Sequence, residues 1–299
     1  MSDPTGAVPV CYRHTDRETY VHCVRCDRPI CPDCMREAPV GHQCVECVKE
    51  GARAVRSITA PYETKKTTRP SRGPNPVSEA LKGNVTKLLL GLNILAFFLQ
   101  QGLSGGINGG GRVNQFTVNY ANIGGAKGIG GLADGEYYRL ITAAFLHAGL
   151  LHIAFNMFAL YQLGSVLERL LGTWRYLALY AAGAVGGNTL SYIVHGATTY
   201  SLGASTAIFG IFAAFFVIVK RQGGDTSQLV ALIVINLVLT FTVSSIDKFG
   251  HVGGLLVGGL VGLIYTRVPR DKPQLQAGMV AGTIVALVLL CVLKTASLA

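Results

Sequence analysis

From residue 85 onward the chain alternates long apolar stretches with short polar breaks. Apolar segments of about 17 to 25 residues, the length a bilayer demands, fall at about 86–103, 143–164, 174–195, 204–220, 227–245, 250–267 and 276–295. This pattern predicts seven membrane helices. Residues 104–142, rich in Gly and Asn, read as an irregular segment lying partly in the outer interface around Arg139. Residues 1–50 contain no apolar run long enough to cross a membrane, and residues 51–84, including "YETKKTTRPSRGPNP", are Pro-rich, basic and linker-like.

Composition agrees with the pattern: half of the residues are apolar, 14% are charged and Gly is abundant, as in a multispanning membrane protein rather than a soluble domain. The net charge of +10 then reports topology before it reports a nucleic-acid partner, because Lys and Arg accumulate in cytoplasmic loops. With the first helix leaving the cytoplasm after Lys82 and Lys87, the groups Arg169 and Arg175, Lys220 and Arg221, and Arg267, Arg270 and Lys272 all fall on the cytoplasmic side. Arg112, Lys127, Arg139 and Lys248 fall opposite. The opening "MSDPTGAVPV" has no basic stretch followed by an apolar core, so a cytoplasmic N-terminus is expected, with residues 196–204 and 246–250 on the outer face.

Polar residues inside the spans are costly and mark functional sites. His147, His152 and Asn156 lie in "FLHAGLLHIAFNMF", Ser205 starts the fourth span and His251 the sixth. Spans two, four and six run inward from the outer face, so these residues share one depth. His152 and Asn156, four apart, share a helical face, which His147 need not. Gly254, Gly258 and Gly262 form a stripe of small residues on which the fourth helix, with Gly210 and Ala214, can pack closely. A lone Ser or Gly in such a helix usually serves packing, and a lone His serves equally as proton relay or ion ligand. A scaffold or transport role therefore competes with the reading of Ser205 as a nucleophile whose proton passes to His251. In that reading the Ser205 backbone N–H, His152 and Asn156 supply oxyanion donors.

The ordered motifs "GEYYR…HAGLLHIAFN…GASTA…GHVGGLLVGG" resemble the rhomboid family of intramembrane serine proteases, across roughly residues 84 to 270. Glu136, Tyr138 and Arg139 match its loop motif, with Tyr for Trp. His147, His152 and Asn156 match its second helix, Gly203 and Ser205 its serine motif, and His251, Gly254 and Gly258 its sixth helix. The resemblance implies an all-α membrane fold with a six-helix core over 85–270 and a seventh transmembrane helix over 271–299. It implies a multi-pass plasma-membrane enzyme that cleaves transmembrane segments of other proteins with no catalytic metal. Ser205 would be the nucleophile, His251 the base, and His152 with Asn156 the oxyanion-hole side chains, with His147, Arg139 and the glycines in support. Two departures stand out. Phe209 occupies a position where Tyr is frequent, though it still offers an aromatic face to His251, and the β-branched Thr206 replaces a Gly beside the serine, where it is expected to narrow the oxyanion pocket.

Residues 1–50 hold seven of the eight Cys, spaced as Cys11-x2-His14, Cys23-x2-Cys26, Cys31-x2-Cys34 and Cys44-x2-Cys47. Four ligand pairs suffice for two tetrahedral zinc ions, and a reducing cytoplasm favours thiolate–metal bonds over disulfides. The order of pairs resembles a B-box-type module, which implies that Cys11, His14, Cys31 and Cys34 share one zinc and Cys23, Cys26, Cys44 and Cys47 the other. His42 is an alternative late ligand, and His22 reads as a surface histidine. The module's basic residues are interleaved with acidic ones, which disfavours nucleic acid and favours a cytoplasmic protein partner. A membrane-tethered zinc adaptor is accordingly a third functional class. Cys291 reads as an ordinary buried residue.

Overall fold

The computed structural model describes residues 8–38, 41–51, 83–102, 115–126, 128 and 130–298. The chain divides into two units, Met1–Arg72 and Gly73–Ala299. Of the expected linker over 51–84, residues 52–82 lie outside the described residues.

In the N-terminal unit, strands β1 (Met35–Glu37) and β2 (His42–Cys44) pair antiparallel, with Arg36 opposite Gln43. Helix α1 (45–51) follows. Its buried apolar core is Ile30 with six cysteines, Cys11, Cys23, Cys31, Cys34, Cys44 and Cys47. One isoleucine cannot hold such a unit by apolar burial, so the cysteines must contribute by other means.

The second unit is built from α2 (Val85–Gly102), the short α3 (Gln115–Tyr120) and α4 (Arg139–Thr142), and then six long helices. These are α5 (Leu150–Leu171), α6 (Thr173–His195), α7 (Ser205–Arg221), α8 (Ser227–Thr242), α9 (Lys248–Arg267) and α10 (Pro273–Leu298). Among the described residues, α2, α5, α6, α9 and α10 are long and apolar enough to cross a membrane. The 17 residues of α7 and the 16 of α8 are shorter. At 1.5 Å per residue they rise about 25 Å against a hydrocarbon core of about 30 Å, so α7 can begin below the membrane surface.

α5 departs from the expected 143–164. Residues Ala143–Phe145 form a 3-10 turn, Leu146 is extended, and the α-helix starts only at Leu150, after the fully extended Gly149. It then passes a π-helical turn at Leu160–Gly164 and continues to Leu171, where Gly172 in a left-handed conformation (φ 81°) ends it. Apolarity marks which residues are buried in protein or lipid, not where hydrogen bonding turns helical. Of the expected irregular segment 104–142, residues 104–114, 127 and 129 lie outside the described residues, and the described remainder is more ordered than its composition suggests. β3 (Asn122–Ile123) pairs with β4 (Tyr200–Ser201), and the Arg139 guanidinium donates to the carbonyls of Val118 and Ala121 and to Glu136. All of these partners are distant in sequence or set by the turn, so no local pattern announces them.

α6, α7 and α9 meet backbone to backbone. A Cβ at Gly254 would stand 2.0 Å from the Thr206 carbonyl oxygen, at Gly258 2.1 Å from that of Gly210, and at Gly262 2.8 Å from the Ala214 Cα. On the neighbouring face of α9, a Cβ at Gly253 would stand 2.6 Å from the Gly186 carbonyl oxygen of α6. Only glycine permits these approaches. α10 attaches by Thr295, whose hydroxyl meets Tyr137 and Tyr192 at 3.2 and 3.0 Å, and by the buried Cys291, which donates to Thr189 at 3.4 Å.

A carboxylate caps α2. Glu168, buried in the last turn of α5, accepts from the Val85 and Thr86 backbone N–H groups at 2.8 and 2.9 Å and from the Thr86 hydroxyl at 2.8 Å. A negative charge at a helix N-terminus is favourable both for its hydrogen bonds and for the helix dipole. Glu168→Ala leaves three donors unpaired in a buried site and is expected to cost about 2 kcal/mol or more of stability. Thermal unfolding in detergent should show a lowered midpoint, with Glu168→Gln between the variant and the native protein.

Candidate active site

The glycine contacts between α7 and α9 bring their N-terminal ends together. Ser205, first residue of α7, and His251, in the first turn of α9, meet with Nε2 of the imidazole 2.7 Å from the serine Oγ. On its other side His251 Nδ1 lies 2.7 Å from Thr240 Oγ1 of α8. Phe209, one turn below Ser205, stacks on the imidazole with ring centroids 4.2 Å apart and planes 19° apart. The ring is thus held at both nitrogens and on one face.

The loop ahead of α7 sets the serine. The Gly203 N–H donates to the Ala143 carbonyl at 2.9 Å, tying the loop to the turn before α5. Gly203 has φ 138°, a conformation that side chains disfavour, and a Cβ there would stand 2.9 Å from His152 Nε2 and 3.4 Å from Ser205 Oγ. His152 therefore lies over the glycine beside the serine. Its Nδ1 accepts from the Ala148 N–H at 3.3 Å, which leaves the ring proton on Nε2, the nitrogen on the Gly203 side. Asn156 is buried one turn on and donates one amide proton to the His152 carbonyl at 2.8 Å, leaving the second proton free to point elsewhere. Among the described residues no side chain caps the N-terminus of α7, which leaves the N–H groups of its first turn available to another acceptor.

The structure does not place every candidate against the serine. His147 precedes α5 rather than lying on it. It is fully buried, edge-on to His152 at 5.1 Å, and neither of its ring nitrogens has a partner among the described residues. Arg139 belongs to the 115–142 segment. Its guanidinium pairs with Glu136 at 2.6 Å, and the Gly131 N–H donates to the same carboxylate at 2.6 Å. The amide and the guanidinium hold the Glu136 carboxyl below the usual carboxylate range. Gly254 and Gly258 act through the packing of α9. Thr206 does not crowd the site as expected: it is buried, with its Cβ 2.7 Å from where a Cβ on Gly187 would stand and its Cγ2 3.2 Å from one on Gly250. Its side chain fills the gap those two glycines leave between α6 and α9. Thr240 escaped sequence reading, since a threonine near the end of a membrane helix carries no local signal.

The N-terminal unit gathers its ligand candidates into two groups, Cys11, His14, Cys31 and Cys34, and Cys23, Cys26, Cys44 and Cys47. Within each group all ligand atoms lie within 4.8 Å of one another. His14 Nδ1 stands 3.3 and 3.4 Å from the Cys31 and Cys34 sulfurs, and the Cys26 and Cys44 sulfurs are 3.8 Å apart. Zn–S bonds of about 2.3 Å in a tetrahedron require sulfurs about 3.8 Å apart, so the donor set suits a metal, and all the cysteines are free thiols rather than disulfides. His42 and His22 belong to neither group.

Residues 134–268 match the Rhomboid domain family, a span from the turn before α4 to the end of α9. The chain is 37% identical over 183 residues to Rhomboid protease GluP of Bacillus subtilis, covering 59% of this chain and 34% of that one. It is 33% identical over 151 residues to Rhomboid-like protease 1 of Toxoplasma gondii, covering 48% and 52% of the two chains. A second Bacillus subtilis protein, YdcA, which also bears the rhomboid protease name, is 34% identical over 139 residues, covering 45% of this chain and 70% of its own. The chain thus spans about a third of the length of GluP and about half of the Toxoplasma protein.

Gly203→Ala is expected to push the His152 imidazole away from Ser205. Labelling of the Ser205 hydroxyl by a fluorophosphonate should fall about tenfold or more, while backbone strain at φ 138° lowers the thermal unfolding midpoint without abolishing the cooperative transition; unchanged labelling would contradict the placement of His152.

Proposed function

The chain belongs to the rhomboid family, and we propose on that footing that it is an intramembrane serine endopeptidase using Ser205 and His251. The observation that carries this reading is the 2.7 Å contact between His251 Nε2 and Ser205 Oγ. Ser205 Oγ attacks the scissile carbonyl carbon while its proton passes to His251 Nε2. The resulting oxyanion is met by the Ser205 backbone N–H, His152 Nε2–H and the free amide proton of Asn156. Collapse breaks the C–N bond, and His251 returns the proton to the leaving amine. A water then gives its proton to His251 and attacks the acyl ester, the C–O bond to Ser205 breaks, and the proton returns to Oγ. The substrates are transmembrane segments of other membrane proteins, because the site lies among lipid-facing helices. The protein spans the plasma membrane several times, with its N-terminus cytoplasmic and the site near the outer face.

Two zinc ions, one for each group of four ligands, supply the folding free energy that the N-terminal unit lacks in apolar core. They take no part in the hydrolysis. Tyr20 and Val24, both more than half exposed, give this module an apolar surface for a cytoplasmic protein or a substrate tail. Removing residues 1–60 should then change substrate range or localisation while hydrolysis of a simple reporter continues.

Ser205→Ala and His251→Ala should each lower cleavage of a transmembrane reporter in proteoliposomes at least about a thousandfold. Cleavage that survives both substitutions would rule the dyad out. Metal analysis of the full chain should find two zinc ions per molecule; chelation should release them, expose the thiols to alkylation and unfold the module while α2 to α10 keep their helicity.

A further inference from the structure

Thr240 is the one residue of α8 that is buried, whereas its neighbours Val238, Leu239 and Phe241 lie exposed. Its Oγ1 lies 2.7 Å from the backbone carbonyl oxygen of Asn236 and 2.7 Å from His251 Nδ1. A carbonyl oxygen can only accept, so the single hydroxyl proton goes to Asn236 and the lone pairs of Oγ1 face the imidazole. His251 must then carry its proton on Nδ1, which leaves Nε2 as a bare acceptor for the Ser205 hydroxyl 2.7 Å away. The opposite tautomer would set two acceptors against each other at Nδ1 and direct an N–H at the serine, leaving nothing to take its proton.

We propose that Thr240 is a positioning residue that fixes the tautomer and orientation of His251, as the third member of a relay running from the Asn236 carbonyl through Thr240 and His251 to Ser205. In soluble serine hydrolases a buried carboxylate performs this service. A neutral hydroxyl suits a membrane site better, since an ionised carboxylate at this depth would be costly. The titratable groups facing His251 are His152 of α5 and Asp247 at the start of α9 itself. Asp247 caps α9, its Oδ1 accepting from the Gly250 N–H at 3.0 Å while its buried Oδ2 has no hydrogen-bond partner among the described residues, so it faces His251 as a charge and not as a hydrogen-bond partner. With Phe209 on the ring face and Ser205 at Nε2, Thr240 supplies the remaining fixed point.

This role presupposes the Ser205–His251 dyad, and the test separates the two. In the full-length protein in lipid, 15N-histidine spectra should show the His251 proton on Nδ1; a proton on Nε2 would overturn the proposal whatever the variants do. Thr240→Val keeps the shape and removes the acceptor, and should lower kcat about tenfold, the worth of one buried hydrogen bond, with KM unchanged and the Nδ1–H signal shifted or lost. Thr240→Ser keeps the hydroxyl and should restore most of the rate and the signal. Native kcat in Thr240→Val, or equal impairment in the serine variant, would sink the relay. If instead Ser205→Ala and His251→Ala retain cleavage, the dyad itself has failed.

Discussion

The contact between α7 and α9 sets everything above it. A serine hydroxyl and an imidazole must hold a separation of 2.7 Å at the ends of two separate helices, and helices ordinarily pack with axes 8 to 10 Å apart. The glycines at 254, 258 and 262 let the backbones touch, and their four-residue period keeps them touching for two turns. Because each pair meets through main-chain atoms, which have no rotamers, the register cannot slide without collision. The Ser205–His251 contact inherits that rigidity.

Around this contact several buried polar groups find a partner that fixes their direction, although His147 does not among the described residues. Ala148 orients His152 through one ring nitrogen, Asp247 caps α9, and Glu168 caps α2 from a turn 82 residues further along the chain. The N-terminal unit faces the opposite problem. It has little apolar side chain to bury, and its thiols and one imidazole are gathered into two groups, each close enough to share a cation.

Much of this was legible in the sequence, and the illegible part has a common cause. Helices α6 to α10 begin within three residues of the apolar boundaries, and the glycine stripe named its own partner because a period of four on two helices can align in few ways. The cysteine pairs were equally plain, since each ligand pair is local, as are the four-residue periods on the two helices α7 and α9 of this one chain. What the sequence concealed depends on groups far apart along the chain: the start of α5 seven residues late, the pairing of Asn122 with Ser201, the Glu168 cap and the Thr240 contact. Apolar content reports which residues avoid water. It says nothing about which distant carbonyl a hydroxyl will find.

Thr206 and Gly187 share one volume. A Cβ on Gly187 would collide with Thr206 Cβ at 2.7 Å, so the two positions cannot both carry side chains. Glycine at 206 would not by itself make room at 187, because a Cβ there would also stand 2.4 Å from the Gly250 carbonyl oxygen; Gly187 is held to glycine by the backbone of α9 as well as by the Thr206 side chain. Residue 206, next to Ser205, is therefore constrained by α6, and a larger side chain there has to be read against the glycine it meets in the neighbouring helix.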